Sequence, residues 1–592
     1  MKRISFSVRP RDRASVQLLV FLAAVLSAIN PLQAQTPFPL PGWFKNNVGR
    51  PPVDERSKAY IDYLKSLSKE GRLSLTEADT VRLVLENNLD VVVDRYDPEL
   101  AFYDIDRAYT LFDPKLRFTL SSDRSADPQA NTVIAGVNAL RALSNQANFS
   151  YSQLFPTGTQ YEIQFNNLRQ SNNGRFNSIN PYIQSNIQIS VTQPLLRNFG
   201  KLPNTRLIRI NRNNRNISEN LFAQRVIDLV NQTQNLYWDL VFGREDIKVK
   251  QRSLDLATKV HEDTKRQVEI GTMAPIELVK TETEIANRKE DLIVAQFNLQ
   301  QMEDQMKKLV TSIGDPAQVV SGIEPTDSTL PPSALKDFDL VQAISYAVEA
   351  RPEIKQARKQ IENGEIDVQY FRNQLLPRVD LTASYGSAGL GGDSRIPLDD
   401  GTFPSRGYGD VLSDMFHGKY NTYLGQLTVE VPIKNRAAQA DYARASIAKR
   451  QYERFLKALE QRIALEVRNA HTALEMDRAR IEATQRAREL QEKTLDAEQK
   501  KFKLGTSTIR FVLEEQRNLA IAQSNELQAL VDFTKAKNNL EKAMGKTLDA
   551  NNIKVEDALT ARTTAPASPT PGSTPGSNQE HTSVPPGGAT NR

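Results

Sequence analysis

Hydrophobic positions along this chain follow two periods, and the order in which the periods alternate occurs twice. Val81, Leu85, Val91 and Ile105 keep a helical spacing, after which Leu116, Phe118 and Leu120 alternate with Arg117, Thr119 and Ser121 as in a half-buried strand. Further on, Ile344, Val348, Ile354 and Val368 give way in the same manner to Val379, Leu381 and Ala383, alternating with Asp380 and Thr382. These patterns predict helices over roughly 75–112 and 339–374, stopped by Pro114 and Pro377, with strands near 115–124 and 378–385. A second strand follows in each case, near 186–194 (Ile187, Ile189, Val191) and 423–431 (Leu427, Val429, Val431), ending at Pro194 and Pro432.

Two very long helices come next. Residues 437–503 hold neither Gly nor Pro, whereas the chain-wide frequency of these breakers leads one to expect about six. A helix of that length extends roughly 100 Å, and the segment 205–268 is nearly its equal. Leu456, Leu459, Ile463, Val467, Ala470, Leu474 and Ile481 supply a coiled-coil seam. After the turns Gly271-Thr272 and Gly505-Thr506, shorter helices repeat the rhythm, with Leu292, Ala295, Leu299, Met302, Met306, Leu309 and Ile313 in one and Ala529, Phe533, Ala536, Leu540 and Ala543 in the other. Set end to end, the first and last helices of a copy match one long helix, which implies a double-layered rod with strands at one end.

The recurrence is a duplication. Residues 80–120 align with 343–383 at a constant offset, pairing Glu86 with Glu349, Asp104 with Asp367, Pro114 with Pro377 and Thr119 with Thr382. The offset shortens where Gln224-Arg225-Val226 meets Gln461-Arg462-Ile463 and again at the two Gly-Thr turns, so the copies differ mainly by one insertion. A unit of this size is a domain, far longer than a solenoid repeat. The insertion lies in the first copy, where Phe149, Tyr151, Phe155, Tyr161, Ile163 and Phe165 alternate around Pro156-Thr157-Gly158. This is an additional hairpin over 148–166, standing either as two more barrel strands or as a flap over the outer mouth. The absence of a matching pair between 386 and 420 favours the flap.

Composition narrows the class. Lys2, Arg3, Arg9, Arg11 and Arg13 precede an apolar run from Leu18 to Ile29, a secretory signal over 1–34. Without it the net charge of +5 falls to about +1, which removes the main reason to expect nucleic acid as a partner. The chain has no cysteine, and its four histidines are scattered, so disulfides, thiolate chemistry and a clustered metal site are not expected, and no cofactor is implied. Beyond the signal no apolar run suffices for a membrane helix, which leaves a closed β-barrel as the way to span. A single chain has too few strands to close one alone, so several chains must contribute. Gly545-Lys546-Thr547 reads as a helix C-cap, and Gly389–Gly392 as a polar loop.

The twice-repeated helix, strand pair, long helix, Gly-Thr turn and helix resembles the outer membrane efflux protein (TolC-like) family. Local patterns carry the resemblance over about 75–545: Leu85-Glu86-Asn87-Asn88-Leu89-Asp90-Val91, the strand end Gln193-Pro194-Leu195-Leu196 and the turns at Gly271 and Gly505. The resemblance implies a mainly α fold, an α-barrel of coiled-coil helices continuous with a trimeric outer-membrane β-barrel to which each chain gives four of twelve strands. It also implies a homotrimer in outer-membrane lipid, with most of the chain in the periplasm, docking a periplasmic adaptor and an inner-membrane transporter and performing no chemistry. In the family's second glycine turn an aromatic residue, an Arg and two acids form a periplasmic gate. The matching positions hold Phe502, Ser507, Phe511 and Glu514, with Arg510 one turn from the missing Arg and Glu277 as the acid of the first copy. A ring of Glu514 carboxylates would focus cations at the pore entrance. Domains follow as 1–34 signal, 35–72 linker, 73–315 first repeat, 316–337 linker, 338–548 second repeat and 549–592 C-terminal segment, disordered from about 561. The competing expectation is a periplasmic coiled-coil adaptor of the same kind of system, which would also be secreted and lack catalytic residues.

Overall fold

The computed structural model describes residues 68–69, 72–130, 136–310, 322–328 and 338–555. The signal 1–34, nearly all of the 35–72 linker, much of the 316–337 linker and the tail from 556 lie outside the described residues.

In the first repeat, β1 (Ser68–Lys69) and β2 (Arg72–Leu75) lead into α1 (Glu77–Asn87) and α2 (Leu89–Tyr109). Four strands follow: β3 (Lys115–Pro128), β4 (Ala139–Leu154), β5 (Gln160–Asn172) and β6 (Ile179–Pro194). The short α3 (Lys201–Asn204) opens the long α4 (Arg206–Glu269), and α5 (Ile276–Val310) returns beside it. After β7 (Gly322–Pro325), the second repeat runs α6 (Leu340–Ala350), α7 (Pro352–Gln374), β8 (Arg378–Ser394), β9 (Ser405–Arg406), α8 (Tyr408–Phe416) and β10 (Tyr420–Glu430). It closes with α9 (Arg436–Lys503), α10 (Ile509–Met544) and α11 (Thr547–Ala550).

The single first helix expected for each copy is instead two helices, broken at equivalent places. In α1 the N-cap is Thr76, in a reciprocal capping box with Asp79; at the corresponding position of the second repeat, Asp339 caps α6 by accepting from the amides of Val341 and Gln342. At the break, Asn88 accepts from the amides of Asp90 and Val91 and so starts α2. Its counterpart Arg351 precedes Pro352, which begins α7 where a missing N–H costs nothing. Polar capping at Asn88 and a proline at N1 override a hydrophobic rhythm that runs on without interruption.

The helices pack in the order α2 and α5 together on one flank, then α4, then α7 and α10, then α9. Apolar seams hold them. Ile463, Val467, Leu474 and Ile481 of α9 are buried against Ala529, Phe533, Ala536, Leu540 and Ala543 of α10, with Leu456, Leu459 and Ala470 packed alongside. In the first repeat Val81, Val91, Phe222, Val226 and Val230 form the equivalent cluster. The expected linker 316–337 contains structure: β7 pairs in parallel with β2, too short a segment for periodicity to mark. Asp327 just beyond it accepts from the amide of Glu77 at 2.8 Å and lies 2.9 Å from the buried Tyr237 hydroxyl. Burial pushes the Tyr237 phenol well above its ordinary pKa, so it remains neutral and able to donate.

Apart from the small sheet β1, β2, β7, the strands form a second sheet in the order β10, β8, β6, β5, β4, β3, with β9 added to β8. The hairpin inserted in the first copy is therefore β4 and β5, longer than the 148–166 expected and situated within the sheet between β3 and β6. Its turn lies at the helical end, where the amide of Gly200 donates to Thr157 O at 3.0 Å and the Gln153 side chain donates to Phe112 O at 3.3 Å. A flap over the outer mouth is excluded by these contacts, and the expectation of four strands per chain is corrected to six. The alternation around Pro156 signalled a hairpin but carried no information about its neighbours, which pairing in register supplies. Gly389–Gly392, expected in a loop, belongs to β8; a Cβ at Gly389 would come within 2.0 Å of Val411 O, because α8 lies directly on the strand there.

Candidate functional site

Two regions carry what this fold can do: the sheet, and the hairpin tips at the far end of the long helices. On the sheet, register and the period of two sort side chains cleanly. Val429, Leu427 and Tyr423 of β10 stand opposite Val379, Leu381 and Tyr385 of β8; beyond them Val191, Ile189 and Ile187 of β6 adjoin Tyr161, Ile163 and Phe165 of β5. Tyr151 and Phe149 of β4 continue the band to Leu116 and Phe118 of β3. All fall on one face, and Leu116, Phe118, Leu427 and Val429 are each more than half exposed. The opposite face is polar. It holds Thr192 and Thr382 with their hydroxyls 3.1 Å apart, Gln164 hydrogen-bonded to Glu162 at 2.8 Å, and Arg378 paired with Asp380 at 2.5 Å. One apolar and one polar face across six strands is the arrangement of a barrel wall between lipid and water. Among the described residues no helix is long and apolar enough to cross a membrane.

At the tips, the two Gly-Thr turns are built alike. Gly271 (φ +78°) follows α4 and Gly505 (φ +75°) follows α9, each in the left-handed region where a side chain is costly. The amide of Thr272 donates to Gln267 O at 2.9 Å and that of Thr506 to Lys501 O at 3.0 Å, the long closing bond of a Schellman cap. Each threonine hydroxyl donates to the same carbonyl. Ile270 and Leu504 project from these turns, 73% and 80% exposed.

The gate candidates divide between the tips. Glu277, on the first turn of α5, pairs with Lys280 at 2.7 Å. Phe502, Ser507, Arg510, Phe511 and Glu514 surround the other turn, with Arg510 and Phe511 exposed and Glu514 half-buried. Ser507, at the place of the family's Arg, donates to Glu498 across the turn. That bond, followed by Lys501 at 3.2 Å, holds the Glu498 carboxyl below its usual pKa, so the tip keeps a carboxylate. Arg510 and Glu514, although four residues apart, form no ion pair among the described residues. Sequence reasoning missed Glu498, and likewise Gln491 bonded to Glu515, since partners joined across a helical turn share no periodic spacing. The described residues hold no cluster of His, Asp and Glu suited to a metal ion.

Residues 80–312 and 343–546 match the outer membrane efflux protein family, one match to each repeat. The chain belongs to this family. Among its relatives, the pyoverdine export outer membrane protein OpmQ of Pseudomonas aeruginosa is 24% identical over 322 residues, 54% of this chain and 61% of OpmQ. Nodulation protein T of Rhizobium leguminosarum bv. trifolii is 22% identical over 321 residues, 53% of this chain and 62% of that protein. The matches thus span less than two thirds of these relatives. The fold is that of the Campylobacter jejuni CmeC outer membrane channel, with TM-score 0.58 and 15% identity over 88% of this chain and 98% of CmeC. CusC gives TM-score 0.57 at 16% identity over 83% of this chain and 99% of CusC.

Proposed function

We propose that three copies of this chain form a passive duct through the outer membrane and periplasm, the outer component of a tripartite efflux or type I secretion system. The observation that carries this reading is the two-faced sheet mounted on helices roughly 100 Å long. Outer-membrane lipid would contact the apolar face and substrate would pass along the polar one. A periplasmic adaptor and an inner-membrane transporter would meet the tips, and the transporter would supply the energy. The export named for OpmQ supports the direction of transport. An adaptor reading leaves the membrane-facing band without a purpose.

Within this reading Glu514 is the cation-focusing group of the pore entrance, with Glu277, Phe502, Ser507, Arg510 and Phe511 around the same opening. With no ion partner among the described residues, its charge is available to the lumen, where low dielectric strengthens its field. Purified protein in planar bilayers is expected to conduct with a preference for cations, reduced in Glu514→Gln. Unchanged selectivity removes Glu514 from the entrance, and recovery of the wild-type chain as a soluble monomer without detergent overturns the duct.

A further inference from the structure

We propose that the assembled trimer closes a barrel of eighteen strands, six from each copy, with β3 of one copy hydrogen-bonded antiparallel to β10 of the next. The inference rests on the trimer reading above and concerns the wall that such a trimer builds.

Four observations point to it. First, β4 and β5 pair with their neighbours along eleven or more residues and put their aromatic and aliphatic side chains on the same face as the other four strands. They are wall, continuous with the rest. Second, the two edge strands, β3 and β10, are exposed along nearly their whole length, and among the described residues no strand pairs with their outer edges. Backbone groups left unpaired in lipid are prohibitively costly, so each edge needs a strand. Third, six is an even number, so β3 and β10 run in opposite directions and a head-to-tail ring continues the antiparallel alternation through every seam. Fourth, β3 follows α2 on one flank of the helices and β10 precedes α9 on the other, so a ring that joins the helical flanks also joins the strand edges.

The register of the seam follows from the register within the chain. Lys115 pairs with Ser152, Ser152 with Glu162, Glu162 with Ser190, Ser190 with Ser384 and Ser384 with Leu424. This row meets β10 six residues before its end at Glu430. If Lys115 of the next copy pairs with Glu430, each copy adds a stagger of six residues over six strands. At roughly 3.4 Å per residue and 4.8 Å per strand the resulting tilt is about 35°, within the range of membrane barrels. A stagger of four gives a tilt of only about 25°, and one of eight brings in Pro432, which lacks the N–H needed for pairing. The chosen register also places Lys115 and Glu430 together on the polar face, and Leu116 with Val429 and Phe118 with Leu427 on the apolar face.

Size agrees as well. Eighteen strands at that tilt make a ring about 34 Å across, against about 22 Å for twelve. Each chain presents four helix positions at any level, and twelve helices spaced roughly 9 Å apart also need a ring of about 34 Å. The strand wall then continues the helical tunnel without a constriction.

Electron cryomicroscopy of the full-length protein in lipid nanodiscs tests this directly. Three copies around eighteen strands are expected. Three copies around twelve strands, with β4 and β5 outside the wall, would overturn the proposal and leave the trimer standing; any other copy number would overturn both. The seam is tested by Thr119→Cys with Gln426→Cys in a chain that has no other cysteine. Oxidation in outer membranes should give covalent dimers and trimers, each single variant remaining monomeric on a denaturing gel. Eighteen strands without this cross-link would overturn the register and the tilt derived from it.

Discussion

At the scale of single residues, the two hairpin tips depend on glycines whose backbone no other residue adopts cheaply. Gly505 has φ +75° and no atom within 4 Å of where a Cβ would stand, so a substitution there meets backbone strain without steric collision. Gly505→Ala should therefore cost about 1 kcal/mol, borne by the turn alone. The cap it supports, from the Thr506 amide to Lys501 O, would open about fivefold more often. Hydrogen–deuterium exchange at the tip of α9 and α10 reads this directly, while helices nearer the sheet keep their protection. Unaltered exchange at Thr506 would mean that the turn is not strained by a side chain. Gly271→Ala, with φ +78° and the same open surroundings, should behave alike at the other tip.

At the scale of elements, long helices are held by seams of few residues, so a single truncation acts on a whole hairpin. Ile463 is fully buried within the α9–α10 seam, and Ile463→Ala should destabilise the second repeat by about 2–5 kcal/mol. Thermal unfolding of the detergent-solubilised protein, followed by circular dichroism, should begin at a lower temperature in this variant. An equal substitution at exposed Leu465, one step off the seam, should leave the monomer's helical packing unchanged. This seam was legible in the sequence because a period sustained over seven heptad positions has no other physical use. The Gly-Thr turns were legible for a similar reason, since glycine and a capping hydroxyl end long runs that lack any breaker. What escaped was set by pairing between distant segments. Periodicity places Phe149 and Ile163 on strands but cannot say that Tyr161 lies opposite Val191, so pattern alone predicts a sheet two strands too narrow. The breaks at Asn88 and Arg351 escaped because capping acts on backbone amides while the apolar rhythm carries on across them. The Ser507–Glu498 bond escaped because the family pattern directed attention to an absent Arg, whereas the hydroxyl standing in its place serves the tip itself.

At the scale of the whole molecule, the chain is apolar on flanks that its own helices do not cover. On α5, Ile293, Val294 and Phe297 point away from α4 and are 42%, 53% and 62% exposed. On the opposite flank α9 exposes Leu465, Met476 and Leu490 to a similar degree. A helix with apolar residues on two sides is buried on two sides, and among the described residues the main helical neighbours of each of these lie on one side. Ion pairs and close contacts fix their relative heights: Gly243 of α4 lies beside Leu299, Asp246 bonds to Ser524, and Arg488 of α9 pairs with Glu526. Phe297 and Leu490 therefore stand at about the same level on opposite flanks and would meet in every seam of a ring. Phe297→Lys would bury an ammonium in each seam, facing Leu490 and the exposed Arg486 and Lys493 one turn either side of it, a cost of several kcal/mol for each interface. Multi-angle light scattering in detergent should then show monomers in place of trimers, with helix content preserved because Phe297 contributes little to packing within the chain. Phe297→Leu should keep the trimer. A trimer that withstands Phe297→Lys would show that these flanks are not the surfaces the copies share, and would separate the helical seam from the strand seam of β3 and β10.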